Sequence, residues 1–335
     1  MPGTMQRLDG GVVKVDERYV CPISGGKMRK WLEVPGDFRR KDDESVYELF
    51  WCEESGLGQL LPRPNEEEIT SFYQLDAYYT HQDYDPYKRG LSFDEKVCAH
   101  IAWRFDRSKE LNATRFRELK GAGIKSCCDV GCGGGGSLIR MRDGGIEELV
   151  GIDPDPDARE SVKENGFEVY SGTAEELPAE IEGRRFDMVL MTHVLEHTVD
   201  PVAALKSLQS LVSDDGLLVI EVPNHDNYGL KMWREAWPWL DVPRHLNFFT
   251  KKSLVELCGI TGWEIVSVEY RGYCRQFQQN WLGYEEEIIE HQERFGKRKS
   301  GTFGLKVRRW WRLLRTMFND DKRKYDSVRI IAKLK

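Results

Sequence analysis

Two acids and a run of glycines are the residues best placed to do chemistry. From Cys128 the chain reads Cys-Asp-Val-Gly-Cys-Gly-Gly-Gly-Gly-Ser, ending at Ser137. An apolar strand-like run leads into it and a helix-like stretch follows. Glycines at such a junction permit a tight turn and let a ligand approach the backbone closely. The next strand-like run ends Val150-Gly151-Ile152-Asp153, and a carboxylate there is placed to accept hydrogen bonds from two ribose hydroxyls. The glycine spacing alone also fits a nicotinamide dinucleotide. Asp129 separates the two readings. An acid two residues before the first glycine would repel a pyrophosphate, whereas it suits the ammonium and sulfonium of S-adenosylmethionine (SAM).

The second set is histidine-based. His225 follows an apolar run in Val222-Pro223-Asn224-His225, and His245 sits in Asp241-Val242-Pro243-Arg244-His245-Leu246. Both lie beyond the C-terminal ends of strands, where open α/β sheets bind ligands. Both are therefore candidates to take a proton from a hydroxyl acceptor, His245 first. The alternative for His245 is to pin its loop by hydrogen bonds. The segment between them holds Trp233, Trp237 and Trp239 and reads as a lid, 224–250. His193, Glu196 and His197 form a further cluster of types that can hold a metal. Capping and packing of the following helix is the preferred reading, so no metal ligand is assigned.

The elements needed to position these groups are legible. Strands are expected at Lys125–Val130, Glu148–Ile152, Glu168–Ser171, Phe186–Thr192, Leu217–Val222 and Trp263–Tyr270, with helices between them and one long helical stretch from Phe93 to Gly121 ahead. Such alternation implies a mostly parallel sheet covered on both faces. Residues 271–326 look helical, and Ser327–Leu334 reads as a strand returning antiparallel. The division is thus a small N-terminal region, 1–90, and a large domain, 91–335, with a helical insertion at 271–326.

Residues 91–270 resemble class I SAM-dependent methyltransferases, in particular the bacterial small-molecule branch. Asp129, Gly131 and Gly133 match the family's first motif and Asp153 its ribose-binding acid. Gly172-Thr173-Ala174-Glu175-Glu176-Leu177-Pro178 looks like the adenine loop, which puts Thr173 and Ala174 nearest the ring. His193-Val194-Leu195-Glu196-His197 resembles the turn after the fourth strand, which puts Thr192 and His193 near the methionine end of SAM. In ubiquinone-biosynthesis O-methyltransferases a similar turn, with Glu in place of His193, is a divalent-metal site. The resemblance implies a Rossmann-like seven-stranded sheet, with the long insertion as a departure. It also implies SAM as cofactor and methyl transfer, on oxygen, to a small-molecule, sugar or lipid-linked acceptor. The competing readings are a nicotinamide-dependent oxidoreductase and a non-catalytic module on the same fold.

Related enzymes often carry an N-terminal zinc ribbon of paired Cys-x-x-Cys knuckles. Here the matching stretches, Cys21-Pro22-Ile23-Ser24 and Cys52-Glu53-Glu54-Ser55, carry serine at the second position. A neutral hydroxyl replaces a thiolate poorly, so a ribbon-like, metal-free region is expected. Within the aromatic, acidic stretch from Phe72 to Tyr87, the part from Phe72 to Tyr79 resembles the segment that precedes such catalytic domains and is expected to pack between the two regions in preference to contacting the substrate.

Composition bounds the rest. The chain has 335 residues, 31% of them charged, and a net charge of −7. That acidity argues against nucleic-acid partners. No signal-like or membrane-spanning apolar run is visible, and eight cysteines in so long a chain suit thiols in a cytoplasm. Residues 297–318 form a basic amphipathic stretch with tryptophans. It is expected to pack on the sheet domain with Glu285–Glu287 as ion partners, or to make a weak peripheral membrane contact.

Overall fold

The computed structural model describes residues 15–40, 42–73, 91–294 and 303–335. The chain begins with four antiparallel strands, β1 (Val15–Val20), β2 (Lys27–Pro35), β3 (Val46–Cys52) and β4 (Leu57–Leu60). Two tight turns join the pairs β1–β2 and β3–β4. Cys21 Sγ lies 3.2 Å from Ser55 Oγ, and Ser24 Oγ lies 3.4 Å from Cys52 Sγ. Cysteine–serine contacts therefore tie the two knuckles together.

After α1 (Glu66–Tyr73), the helical stretch expected from Phe93 to Gly121 is two helices, α2 (Phe93–Phe105) and α3 (Ala113–Gly121). The break has a local cause. Asp106 accepts the amides of Ser108 and Cys274, and the Asn112 side chain accepts the amide of Arg115. Such side-chain bonds offer the backbone an alternative to continued helix.

Next come β5 (Ser126–Val130), α4 (Gly136–Asp143), β6 (Glu148–Ile152), α5 (Pro156–Glu164), β7 (Glu168–Tyr170), β8 (Phe186–Thr192), α6 (Pro201–Ser207) and β9 (Val212–Pro223). α7 (Tyr228–Trp233), β10 (Asn247–Phe248), α8 (Lys251–Ile260) and β11 (Trp263–Arg271) follow. The chain ends with α9 (Gln279–Arg294), α10 (Phe303–Thr316), α11 (Asp321–Lys324) and β12 (Ser327–Leu334). The main sheet has the order β11-β12-β9-β8-β5-β6-β7. Strands β5 to β9 run parallel, and β12 lies antiparallel between β9 and β11. This is the expected Rossmann-like α/β fold with a returning last strand.

Apolar layers cover both sheet faces. Cys127 and Cys128, consecutive on β5, fall in opposite layers, as the two-residue side-chain period requires. A third layer joins the small sheet to the segment after β9. Leu32, Val34, Leu49 and Leu60 pack there with Trp233, Trp237, Leu240 and Phe248. The join is also in the backbone, because β10 pairs antiparallel with β4. It is locked by a buried ion network in which Arg244 grips Asp37 with two bonds of 2.7 and 2.8 Å and Asp241 at 2.9 Å.

The basic stretch is only partly in view, since Lys297-Arg298-Lys299 lies outside the described residues, as does most of the Phe72–Tyr87 segment. On α10, Arg309 pairs with Glu95 at 3.0 Å and Asp94 at 2.8 Å, and Arg312 pairs with Glu285. Those arginines hold the helix on the protein body. Among the described residues, no helix is long and apolar enough to cross a membrane.

Candidate active site

The end of β5 and its glycine turn form one wall. Gly131 and Gly133 have φ of +71° and +51°, left-handed backbone that favours glycine. A Cβ at Gly131 would also meet Val194 Cγ2 at 2.3 Å. The turn is fastened to the end of β6. Gly131 N donates to Ile152 O at 2.7 Å, and Gly133 N donates to Asp153 Oδ2 at 2.7 Å. Asp153 Oδ1 accepts the amide of Asp155 at 2.9 Å. A carboxylate has about four acceptor positions, so Asp153 can hold the turn and still accept ribose hydroxyls.

Asp129 is almost wholly buried, at 2% exposure. Burial pushes its carboxyl up to about 7, and the Asp153 charge adds to this while Arg140 opposes it. A buried acid in this position is stabilised in its charged form by an arriving cation. Thr173 organises its own loop, its amide donating to Glu176 O and its hydroxyl accepting Glu176 N, both at 3.0 Å. Ala174 is buried behind it, and Ser207 donates to its carbonyl.

At the end of β8, the buried Thr192 Oγ1 has no hydrogen-bond partner in the protein. His193 adopts φ +57°. That rare conformation turns the ring between two buried acids, with Nδ1 3.2 Å from Glu196 Oε1 and Nε2 3.3 Å from Glu221 Oε1. The ring stacks on Trp239 at 4.8 Å. Burial lowers the His193 pKa, but the two carboxylates outweigh it and the net direction is up. Glu221 is held far below the usual carboxylate range; burial opposes this, and His193, Arg271 and Arg329 overcome it. Glu221 went unnoticed in the sequence reading. Its signal was there, as a lone acid inside the apolar run Leu217–Val222.

His225 and His245 lie deep, at 3% and 2% exposure. His225 Nδ1 sits 3.1 Å from Phe249 O and 3.2 Å from Pro223 O, and its Nε2 has no partner. His245 Nδ1 is 2.9 Å from Trp239 O. Burial brings His225 down to about 3, and burial with the neighbouring His197 brings His245 down to about 4. Both rings are neutral at pH 7. The structure also gathers Glu196, His197 and His245, whose ligand-type atoms lie within 4.8 Å of one another.

The profile of a family described as a methyltransferase domain matches residues 100–268. The chain belongs to the SAM-dependent methyltransferases, and SAM is the cofactor this membership brings. It is 36% identical to the ubiquinone biosynthesis O-methyltransferase of Azorhizobium caulinodans, over 46% of this chain and 63% of the relative. It is 30% identical to the tRNA U34 carboxymethyltransferase of Aeromonas hydrophila, over 59% of this chain and 62% of the relative. A further ubiquinone biosynthesis O-methyltransferase, from Cereibacter sphaeroides, is 32% identical over 51% of this chain and 70% of the relative. The chain spans 51–63% of the lengths of the first three curated relatives it matches. A solved SAM-dependent methyltransferase from Archaeoglobus fulgidus aligns at TM-score 0.44 with 21% identity, over 66% of this chain and 92% of that one.

One expectation is corrected by these relatives. The acidic net charge was read as excluding nucleic-acid partners, yet relatives from three bacteria are named as acting on tRNA. Net charge sums over the whole surface and does not describe the local surface a partner meets.

Proposed function

We propose that the chain transfers the methyl group of SAM to an oxygen of a small-molecule or sugar acceptor. The observation that carries this is the buried Asp129 beside the left-handed glycine turn, with Asp153 one strand over. That pair suits a cation bearing a ribose and opposes a pyrophosphate. Asp129 faces the charged methionine end. Asp153 takes the ribose hydroxyls, Thr173 and Ala174 border the adenine, and Thr192 and His193 border the methionine. The acceptor oxygen attacks the methyl carbon in line as the carbon–sulfur bond breaks, and the sulfur leaves with the electron pair. The enzyme's part is to align the partners and exclude water. The reaction must also shed the acceptor's proton. His245 is the residue on which that step depends, with His225 behind it.

Support for a small acceptor comes from the relatives named as ubiquinone biosynthesis O-methyltransferases and from the two neutral imidazoles. The segment 224–250, packed on the N-terminal sheet, walls the acceptor side. All eight cysteines are free thiols, which suits a cytoplasmic location. The test is calorimetry with SAM and NAD, followed by labelled-SAM transfer to phenolic, sugar and tRNA acceptors. SAM binding with label on a small hydroxyl compound is expected. Binding of NAD alone, or label confined to tRNA, overturns the reading.

A further inference from the structure

We propose that α10 docks the protein on an anionic lipid surface. An ordinary surface helix buries its apolar stripe and turns its charges to water. α10 does the reverse. Val307, Trp311 and Leu314 recur at helical spacing, and Phe318 continues the same row just past the helix. All four are exposed, by 46–75%. On the opposite face Arg309, Arg312, Leu313 and Thr316 are buried. That face meets the protein body through ion pairs, Arg309 with Asp94 and Glu95 and Arg312 with Glu285. The helix is thus attached by its charges, and its apolar row is left outward. Phe105 of α2, which runs alongside, meets only the near edge of the row, its ring 5.3 Å from that of Phe318. Contiguous apolar rows of this kind mark sites of interaction.

Charge decides the occupant. α10 carries five cations, Lys306, Arg308, Arg309, Arg312 and Arg315, and no acid. It is a local exception in a chain whose net charge is −7. Arg309 and Arg312 are taken by the ion pairs. Arg308 and Arg315 flank the row on one side and pair with no carboxylate among the described residues; they lie over the rings of Trp233 and Trp311, at 5.2 and 4.6 Å. Lys306, on the other flank, is 4.0 Å from an Asp94 that Arg309 already holds at 2.8 Å. A second copy of the chain, packed row against row, would bring these like charges together. An RNA would meet the cations but offers Val307 and Leu314 nothing to enter. An anionic bilayer meets both needs. The apolar row enters the boundary below the headgroups, and the long basic side chains reach back to the phosphates.

The docking helix adjoins the acceptor side, because Trp233, under Arg308, belongs to the 224–250 segment. An acceptor dissolved in lipid would meet the enzyme there. That use rests on the methyl-transfer reading, whereas lipid binding does not.

The test is co-sedimentation of the full-length protein with vesicles of phosphatidylcholine alone and of equal parts phosphatidylcholine and phosphatidylglycerol. Binding to the anionic vesicles is expected, at least about tenfold tighter than to phosphatidylcholine and weakened several-fold by added salt. The double variant W311E/L314E should lose at least about tenfold in affinity for the anionic vesicles, and R315E at least about fivefold. Circular dichroism reports whether each variant is folded, and R315E decides where the double variant is not. No binding, equal binding to both vesicles, or binding that folded variants leave unchanged overturns the proposal. A wild-type dimer that W311E/L314E dissolves would assign the row to a second copy, and tRNA binding lost with the same substitutions would assign it to RNA; either overturns it too. SAM calorimetry without vesicles is read separately. Failure of wild-type protein to bind SAM would overturn the methyl-transfer reading and leave the lipid result standing.

Discussion

Replacing Asp129 with Asn should stabilise the SAM-free protein above neutral pH and weaken SAM binding at the same time. The carboxyl is pushed from 3.8 to about 7, mainly by burial. The folded state thus binds this proton more tightly than the unfolded state does. The resulting stability is complete below pH 3.8 and is lost as pH rises towards 7. At about 1.4 kcal/mol per tenfold change in proton affinity, the interval corresponds to about 4 kcal/mol. Asn fills nearly the same volume and never ionises, so it escapes that loss. Urea and thermal melts of both proteins across pH 4–9, without ligand, should show the variant gaining on the wild type as pH rises. The gap should reach on the order of 5–10 °C in melting temperature above pH 7. Calorimetry should show the opposite ranking for SAM. A hydrogen-bonded charge contributes about 1.5–3 kcal/mol, so affinity should fall roughly tenfold to hundredfold at pH 8. Wild-type affinity should also rise through pH 7 relative to the variant. A stability gap that does not change with pH, or equal SAM affinity at pH 8, would refute the reasoning.

H245Q should lower turnover by on the order of a hundredfold while the SAM dissociation constant from calorimetry stays within about threefold; unchanged turnover removes His245 from the proton step. R244M should cost on the order of 3 kcal/mol in urea unfolding, because it removes the main partner of the buried Asp37 and Asp241 and leaves them Arg40 and Arg39. Adding D37L to it should recover part of that loss, and a double variant no more stable than R244M would show that the ion network is not what fails.

The main sheet was legible because each strand carries its own signal. Ser126–Val130 is buried at every position, and its short Cys127-Cys128 and Val130 core, bounded by Gly123 and the glycine turn, reads as a buried strand. Ser327–Leu334 is rich in β-branched residues and isolated by helical sequence, so its return to the sheet could be read without knowing its partners. The break between α2 and α3 was not legible, because helical periodicity persists on both sides and the decision falls to the Asp106 and Asn112 side chains. Pairing of β10 with β4 leaves no local trace either. Two residues, Asn247 and Phe248, join a sheet whose nearest strand lies almost two hundred positions earlier.

The candidate site divides along the same physical line. The cofactor side is built from consecutive residues, because a turn that admits a ligand needs left-handed backbone, and glycine announces that locally. The acceptor side is built from convergence. Glu221 is one acid in an apolar strand until Arg329 at 2.7 Å, Arg271 at 3.1 Å and His193 at 3.3 Å close on it from three other places in the chain. The wholly buried Glu221 carboxylate keeps its charge out of water because these partners surround it. Their meeting in turn fixes the His193 ring, and so decides that Glu196 turns one oxygen to His193 and leaves the other without a partner near His197 and His245. Spacing along the chain groups residues 193, 196 and 197; the left-handed backbone at His193 takes that residue out of the group.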